Sequence, residues 1–317
     1  MPPSSSAFVQ GLIIFCALGW LLWSGSVVLA QTEPDAQIKS QEIRKQALPE
    51  PRAADEKDDE EEDELGKLLA LKRAKSWSVT PSVSARGFYT SNAFLSNKGE
   101  KGDTIFMETQ GVTAGYRFSR DWQLQADYSF QLTRYDENSF LDTDAHSTGL
   151  RLLHQFDWDW TVEAGLRGLW LTTPHGEVEV YRENNPYLVF THSHGFLDDK
   201  LNWFYGLQYD HKFTHPVSFE RNEYSLFSGV SYYWLPNLVS QLVLRQNWQF
   251  YDFRPPANPV NGRQEWISTV GLQTVWQPLS WLQVSGFGFT TYDNSVNAGR
   301  DYKVANLGGE IRVFWKF

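Results

Sequence analysis

From Ser76 to Phe317 the chain reads in period two. Apolar and polar residues alternate in successive runs, broken by short clusters of Gly, Asn, Asp and Pro, as strands joined by turns would be. The runs fall at 76–91, 103–118, 121–136, 144–157, 159–173, 182–196, 201–213, 222–234, 237–252, 264–277, 280–293 and 302–317. In 121–134, Trp122, Leu124, Ala126, Tyr128, Phe130 and Leu132 share one face; Gln123, Gln125, Asp127, Ser129, Gln131 and Thr133 share the other. In 159–171 the apolar face holds Val162, Ala164, Leu166 and Trp170, against Thr161, Glu163, Gly165 and Arg167. In 237–251 it holds Leu242, Leu244, Trp248 and Phe250, against Gln241, Arg245, Asn247 and Gln249. The last run puts Ala305, Leu307, Gly309, Ile311, Val313, Trp315 and Phe317 together, opposite Val304, Asn306, Gly308, Glu310, Arg312, Phe314 and Lys316. Runs 182–196 and 280–293 alternate less cleanly, and their faces stay open.

The breaks and the aromatics turn this pattern into an architecture. Very short breaks (Ser119-Arg120, the Asp157-Trp158 corner, Leu197–Lys200, Leu235-Pro236, Pro278-Leu279) alternate with longer polar ones at Asn92–Gly102, Glu137–Thr143, Thr173–Tyr181, His215–Arg221, Arg254–Arg263 and Asn294–Asp301. Aromatics gather near both sets. Phe118, Trp122, Phe156, Trp158, Trp160, Phe196, Trp203, Trp234, Trp276, Trp281, Trp315 and Phe317 lie near the short turns. Phe88, Tyr89, Phe106, Phe130, Trp170, Tyr187, Tyr224, Trp248, Phe250, Tyr251, Trp266 and Tyr292 lie near the longer loops. Two such bands are what two membrane interfaces require, whereas a soluble sandwich gathers its rings centrally. Mean hydropathy is negative, so from Ser76 on only a closed sheet satisfies its backbone in lipid. The prediction is an all-β fold: a transmembrane antiparallel up-and-down barrel of about 12 strands, with short turns on one side and longer loops on the other.

The final strand adds a destination. Ending on Val313, Trp315 and Phe317, with aromatics at the last and third-from-last positions, it resembles the assembly signal of bacterial outer-membrane β-barrel proteins. The resemblance implies that barrel-assembly machinery reads this strand, and that the barrel closes by pairing it with the first. It implies bacterial outer-membrane lipid as the surroundings and porin-like relatives, without naming a function.

The first 75 residues differ. Leu12–Trp23 is an apolar core of signal-peptide length, and Val28 and Ala30 are small residues suited to cleavage before Gln31. Residues 1–30 therefore read as a signal peptide cleaved near Ala30, although the first eleven residues hold no Lys or Arg. Cys16, the one cysteine, lies inside it, so the exported chain forms no disulfide and offers no thiolate to a metal. Residues 31–75 carry the run Asp55–Glu64 and no aromatic residue, which reads as an acidic disordered periplasmic tail. Leu65, Leu68, Leu69 and Leu71 with Lys67, Lys72, Arg73 and Lys75 would suit one short amphipathic helix before the barrel, 76–317.

Asp127, Arg151, Glu163, Arg167, Arg245, Glu310 and Arg312 carry charge to the inner face and are the pore-lining candidates. Either they pair across the lumen and hold the barrel closed, or they line a wetted pore that screens solutes. Twelve strands fall between barrels that side chains fill and barrels that stay open, and no outer loop looks long enough to fold inward. Gln, Ser, Thr and Asn dominate the inward rows, which favours a narrow porin-like channel for small polar solutes or ions. The alternative is a closed structural or assembly barrel that recruits a partner through its tail or loops. Catalysis finds no footing: in His192-Ser193-His194 the serine points away from both histidines, Asp144 and His146 are not joined by Ser147, and Asp142 with these rim groups shows no matching pair. His192 and His194 lack a third metal ligand. No enzyme, metal, cofactor or nucleic-acid partner is expected from a chain of net charge −10.

Overall fold

The computed structural model of the chain describes residues 77–317, apart from 120, 157–159, 177, 198–199, 252–262 and 297–300. The leader, the acidic tail and the short helix expected before the barrel lie outside the described residues. The strands are β1 (Trp77–Thr90), β2 (Asp103–Arg117), β3 (Trp122–Tyr135), β4 (Thr143–Gln155), β5 (Trp160–Thr172), β6 (Glu179–Phe196), β7 (Leu201–His215), β8 (Arg221–Leu235), β9 (Leu238–Tyr251), β10 (Gln264–Leu279), β11 (Leu282–Ser295) and β12 (Tyr302–Phe314). Each pairs antiparallel with the next, and β12 returns to β1, so the sheet is a closed barrel without an edge. The strands match the periodic runs to within a few residues at each end.

Closure runs from Thr90 opposite Asn306 to Ser82 opposite Phe314. It continues past the strand end. Trp315 N donates to Pro81 O at 3.1 Å and Phe317 N to Val79 O at 3.0 Å. The terminal aromatic is therefore zipped to the first strand through its backbone, while its ring stays exposed outside.

The faces of β3, β5, β9 and β12 are those read from period two: Leu124, Leu166, Leu244 and Ile311 are exposed on the outside. At the turn end, Phe118, Trp122, Phe156, Trp160, Phe196, Trp203, Trp234, Trp276, Trp281, Trp315 and Phe317 all remain exposed; Trp158 lies outside the described residues. The loop-end band needs correction. Phe88, Tyr187 and Tyr251 are buried on the inner side, because each shares parity with an inward neighbour: Arg86, Glu183 and Gln249.

A second correction concerns the loops. Ala93, from the β1–β2 loop, and Leu141, from the β3–β4 loop, pack with Phe88, Ile105, Met107, Tyr135 and Phe287 in one buried cluster. Leu95 packs on Tyr302 and Val304 of β12. Asn92 pins the β1–β2 loop by donating from Nδ2 to Ser96 O at 2.8 Å and Lys303 O at 3.1 Å. Twelve residues suffice because a loop held by its own side chain, with Leu95 at φ 46°, doubles back in little contour length. The loop-end mouth is thus partly filled by loop residues, contrary to the expectation that none would reach inward.

Candidate functional site: the inner wall

Mid-barrel charges are placed by register, since directly opposed residues of neighbouring strands share a face. On β3 and β4, Gln125 stands opposite Arg151, and Asp127 opposite Gly149. Arg151 Nε donates to Gln125 Oε1 at 2.9 Å, and its Nη2 lies 3.5 Å from Asp127 Oδ1. A Cβ on Gly149 would come within 2.6 Å of that same carboxylate, so the absence of a side chain makes room for Asp127.

A second centre spans β5, β6 and β7. Gly165 stands opposite Tyr187, and a Cβ there would sit 2.8 Å from its ring. Tyr187 OH donates to Glu163 Oε1 at 2.5 Å, and the Arg167 guanidinium covers the ring at 3.7 Å. Arg167 also lies 3.9 Å from Glu163 Oε1 and 3.9 Å from Asp210 Oδ1. Asp210 in turn accepts from Asn185 Nδ2 at 2.9 Å and Gln208 Nε2 at 2.7 Å.

Two further centres complete the wall. Arg245 donates from Nε to Asn247 Oδ1 at 2.9 Å and from Nη2 to Ser225 Oγ at 2.8 Å. At the seam Arg86 stands opposite Glu310, with Nη2 at 2.5 Å from Oε2. Arg312, one inward position below Glu310, reaches Ser82 Oγ at 3.5 Å. All seven residues singled out from the sequence therefore face the interior, but distributed over separate centres.

A denser cluster at the loop end was not foreseen. Glu223 takes Arg221 Nε at 2.6 Å and Lys212 Nζ at 2.8 Å, with all three buried. Tyr181 OH donates to Glu183 Oε2 at 2.7 Å, and Tyr251 OH to Glu265 Oε2 at 3.0 Å. Arg263 pairs with Glu265 and covers the Tyr251 ring at 4.3 Å. Parity was the available signal: Lys212 falls two residues from Asp210, and Glu223 two from Ser225, each on the inner row. Arg221, which falls in the polar break His215–Arg221 of the sequence, is the first residue of β8.

The geometry also answers how the charges pair. Arg151 with Asp127, Arg86 with Glu310 and Lys212 with Glu223 join adjacent strands; Arg167 with Asp210 joins strands two apart. These contacts run along the wall rather than across the lumen. His192 faces outward, edge-on to Trp160 at 4.6 Å, while Ser193 stands opposite the buried, inward Phe204. Asp144 is held by Arg134 at 2.7 Å, and His146 Nδ1 lies 2.9 Å from Tyr128 OH on the outer face. No group of metal-ligating side chains assembles among the described residues.

An apolar exterior, a polar interior, an aromatic rim and a seam closed by the C-terminal strand decide the architecture. The chain has the fold of an outer-membrane β-barrel. No protein-family model and no curated protein sequence matches it. Among solved structures, an outer-membrane channel from Pseudomonas putida F1 is 10% identical, with 75% of this chain matched to 95% of that one at a TM-score of 0.49. LpxR from Salmonella typhimurium is 11% identical over 75% of this chain and 100% of its own, at 0.44. The NanC porin is 14% identical over 74% and 99%, at 0.41. At such values the likeness is one of barrel architecture alone.

Proposed function

We propose that this barrel is a narrow outer-membrane channel that passes small polar solutes or ions. The observation that carries the reading is solvent access at mid-barrel: the side chains of Asp127 and Arg167, both inward, are each 29% exposed. Charges that filled a closed lumen would bury one another; Asp127 and Arg167 are bonded sideways and keep a water-facing surface. Arg151, Arg167 and Arg86 then line the same wall as Asp127 and Glu310, and a permeating ion meets both signs. Delivery follows from the same chain: export by residues 1–30 with cleavage near Ala30, and recognition of Val313, Trp315 and Phe317 by the assembly machinery.

The loop residues packed in the mouth favour the second reading, a closed barrel that recruits a partner. One experiment separates the two. Refolded protein in planar bilayers shows discrete conductance if the lumen is a pore. Arg151→Gln with Arg167→Gln shifts its reversal potential in a salt gradient toward cations, because Asp127, Glu163 and Asp210 then dominate. A wild-type barrel without discrete conductance, in which a cysteine at Thr113 stays unreactive to small polar thiol reagents, would reject the pore in favour of the closed barrel.

A further inference from the structure

The outward row of β2 breaks the pattern of the lipid face. It runs Phe106, Glu108, Gln110, Val112, Ala114 and Tyr116, and Glu108 and Gln110 are both exposed between the two terminal rings. Glu108 stands between Ala85 of β1 and Leu132 of β3; Gln110 stands between Val83 and Phe130. None of these side chains offers a polar group. The hydrogen bond found here joins the two to each other, Gln110 Nε2 to Glu108 Oε1 at 3.2 Å.

Two other polar groups of the outer face are bonded by neighbouring side chains. Asp144 is bonded by Arg134 at 2.7 Å. Gln246 accepts from Ser268 Oγ at 2.5 Å and donates to Asn247 O at 3.3 Å. A carboxyl group left to hydrocarbon is costly, and an intramembrane acid usually faces protein. Next to β2 the wall is also low. Gly87, Gly309 and Gly286 stand side by side on β1, β12 and β11, and no atom lies within 4 Å of where a Gly286 Cβ would be. Small residues of this kind permit close approach of another backbone.

We propose that the β12–β1–β2 face is the docking surface for a second copy of this barrel, with the Gln110 amides of the two copies hydrogen-bonded to each other beside Glu108. Complementarity selects this occupant. In a two-fold pair whose axis follows the membrane normal, identical residues meet at identical depth. A Gln110 amide both donates and accepts, so it is complementary to the Gln110 of the other copy at the same depth, while each Glu108 keeps the amide of its own chain; acyl chains offer neither. The inference stands whether or not the lumen conducts.

Cysteine cross-linking of the full chain in lipid vesicles tests it, in a Cys16→Ser background. Under oxidation, Ala85→Cys should give disulfide-linked dimers roughly fivefold or more above Leu207→Cys, which is exposed on the opposite wall. Adding Glu108→Leu and Gln110→Leu should return the Ala85→Cys yield to that control, with heat-modifiable gel mobility showing that each barrel is folded. Equal yields at Ala85 and Leu207, or a dimer indifferent to the leucine pair, overturns the proposal. If the leucine variant does not fold, native mass spectrometry of the unsubstituted chain decides: a dimer supports the face, and a monomer throughout mild detergents rejects it.

Discussion

At the turn end of the barrel Trp122, Trp160, Trp203, Trp234, Trp276, Trp281 and Trp315 are all exposed, whereas at the loop end Phe88 and Tyr251 turn in. The difference follows from what lies beyond each end. Very short turns have little chain to lay over the lumen, and a ring there finds its amphipathic place at the lipid interface. The β1–β2, β3–β4 and β7–β8 loops fold into the mouth and bring Ala93, Leu95, Leu141 and Phe219 with them, and inward rings there gain packing partners. The loop end also gathers the buried ion pairs around Glu223 and Glu265. Both ends keep outward rings, Tyr89, Phe106, Tyr224, Trp266 and Tyr292 at the loop end, but the loop end adds a small protein interior.

The largest expected effect therefore lies at the loop end. Glu223→Leu leaves Arg221 and Lys212 buried without their shared carboxylate, and should cost about 3–5 kcal/mol in urea titrations of the barrel in vesicles. Ser78→Leu, inward but exposed at the turn end, should change little. Equal costs at the two positions would erase the contrast between the ends.

Between the ends, the two faces of the wall should differ next most. Ala126→Arg puts a guanidinium into lipid and should cost about 2–4 kcal/mol. Thr113→Arg, inward and opposite Asp127, gains a carboxylate neighbour and water, and should cost less than about 1 kcal/mol. A reversed order in the same titrations would mean that the barrel sits in the bilayer with another register.

The smallest effect compares two leucines in left-handed backbone. Leu197 (φ 55°) is exposed in a turn, and Leu95 (φ 46°) is buried in the mouth. Leu197→Gly should be stabilising by roughly 0.5 kcal/mol, the relief of φ strain less the added entropy of the unfolded chain. Leu95→Gly should be destabilising by about 2 kcal/mol, because the lost contacts with Tyr302 and Val304 exceed the same relief. Thermal or chaotrope midpoints read both, and a loss at Leu197 would show that its side chain has a partner.

Period two by itself determined the strands, their even number, the faces of β3, β5, β9 and β12, and the outward band at the turn end, because alternation is set locally by the pleat. Closure was legible too, since a sheet with polar inner rows and an apolar outer face leaves no other way to satisfy its edges in lipid. Tyr251 continues the parity of Arg245, Asn247 and Gln249, so even its inward aim is written in the chain; nearness to a loop is the weaker signal, because a ring at a rim can serve lipid, lumen or loop. The tertiary structure alone decided which charges meet. Whether Arg167 finds Asp210, or Arg86 finds Glu310, depends on the stagger between strands and on gaps such as Gly149 and Gly165 that let a neighbour's side chain lie against the wall. Those relations join residues up to 224 positions apart, and no local pattern encodes them. The inward fold of the β1–β2 loop was of the same kind, for its apolar residues became legible as core only once β12 and β3 stood beside them.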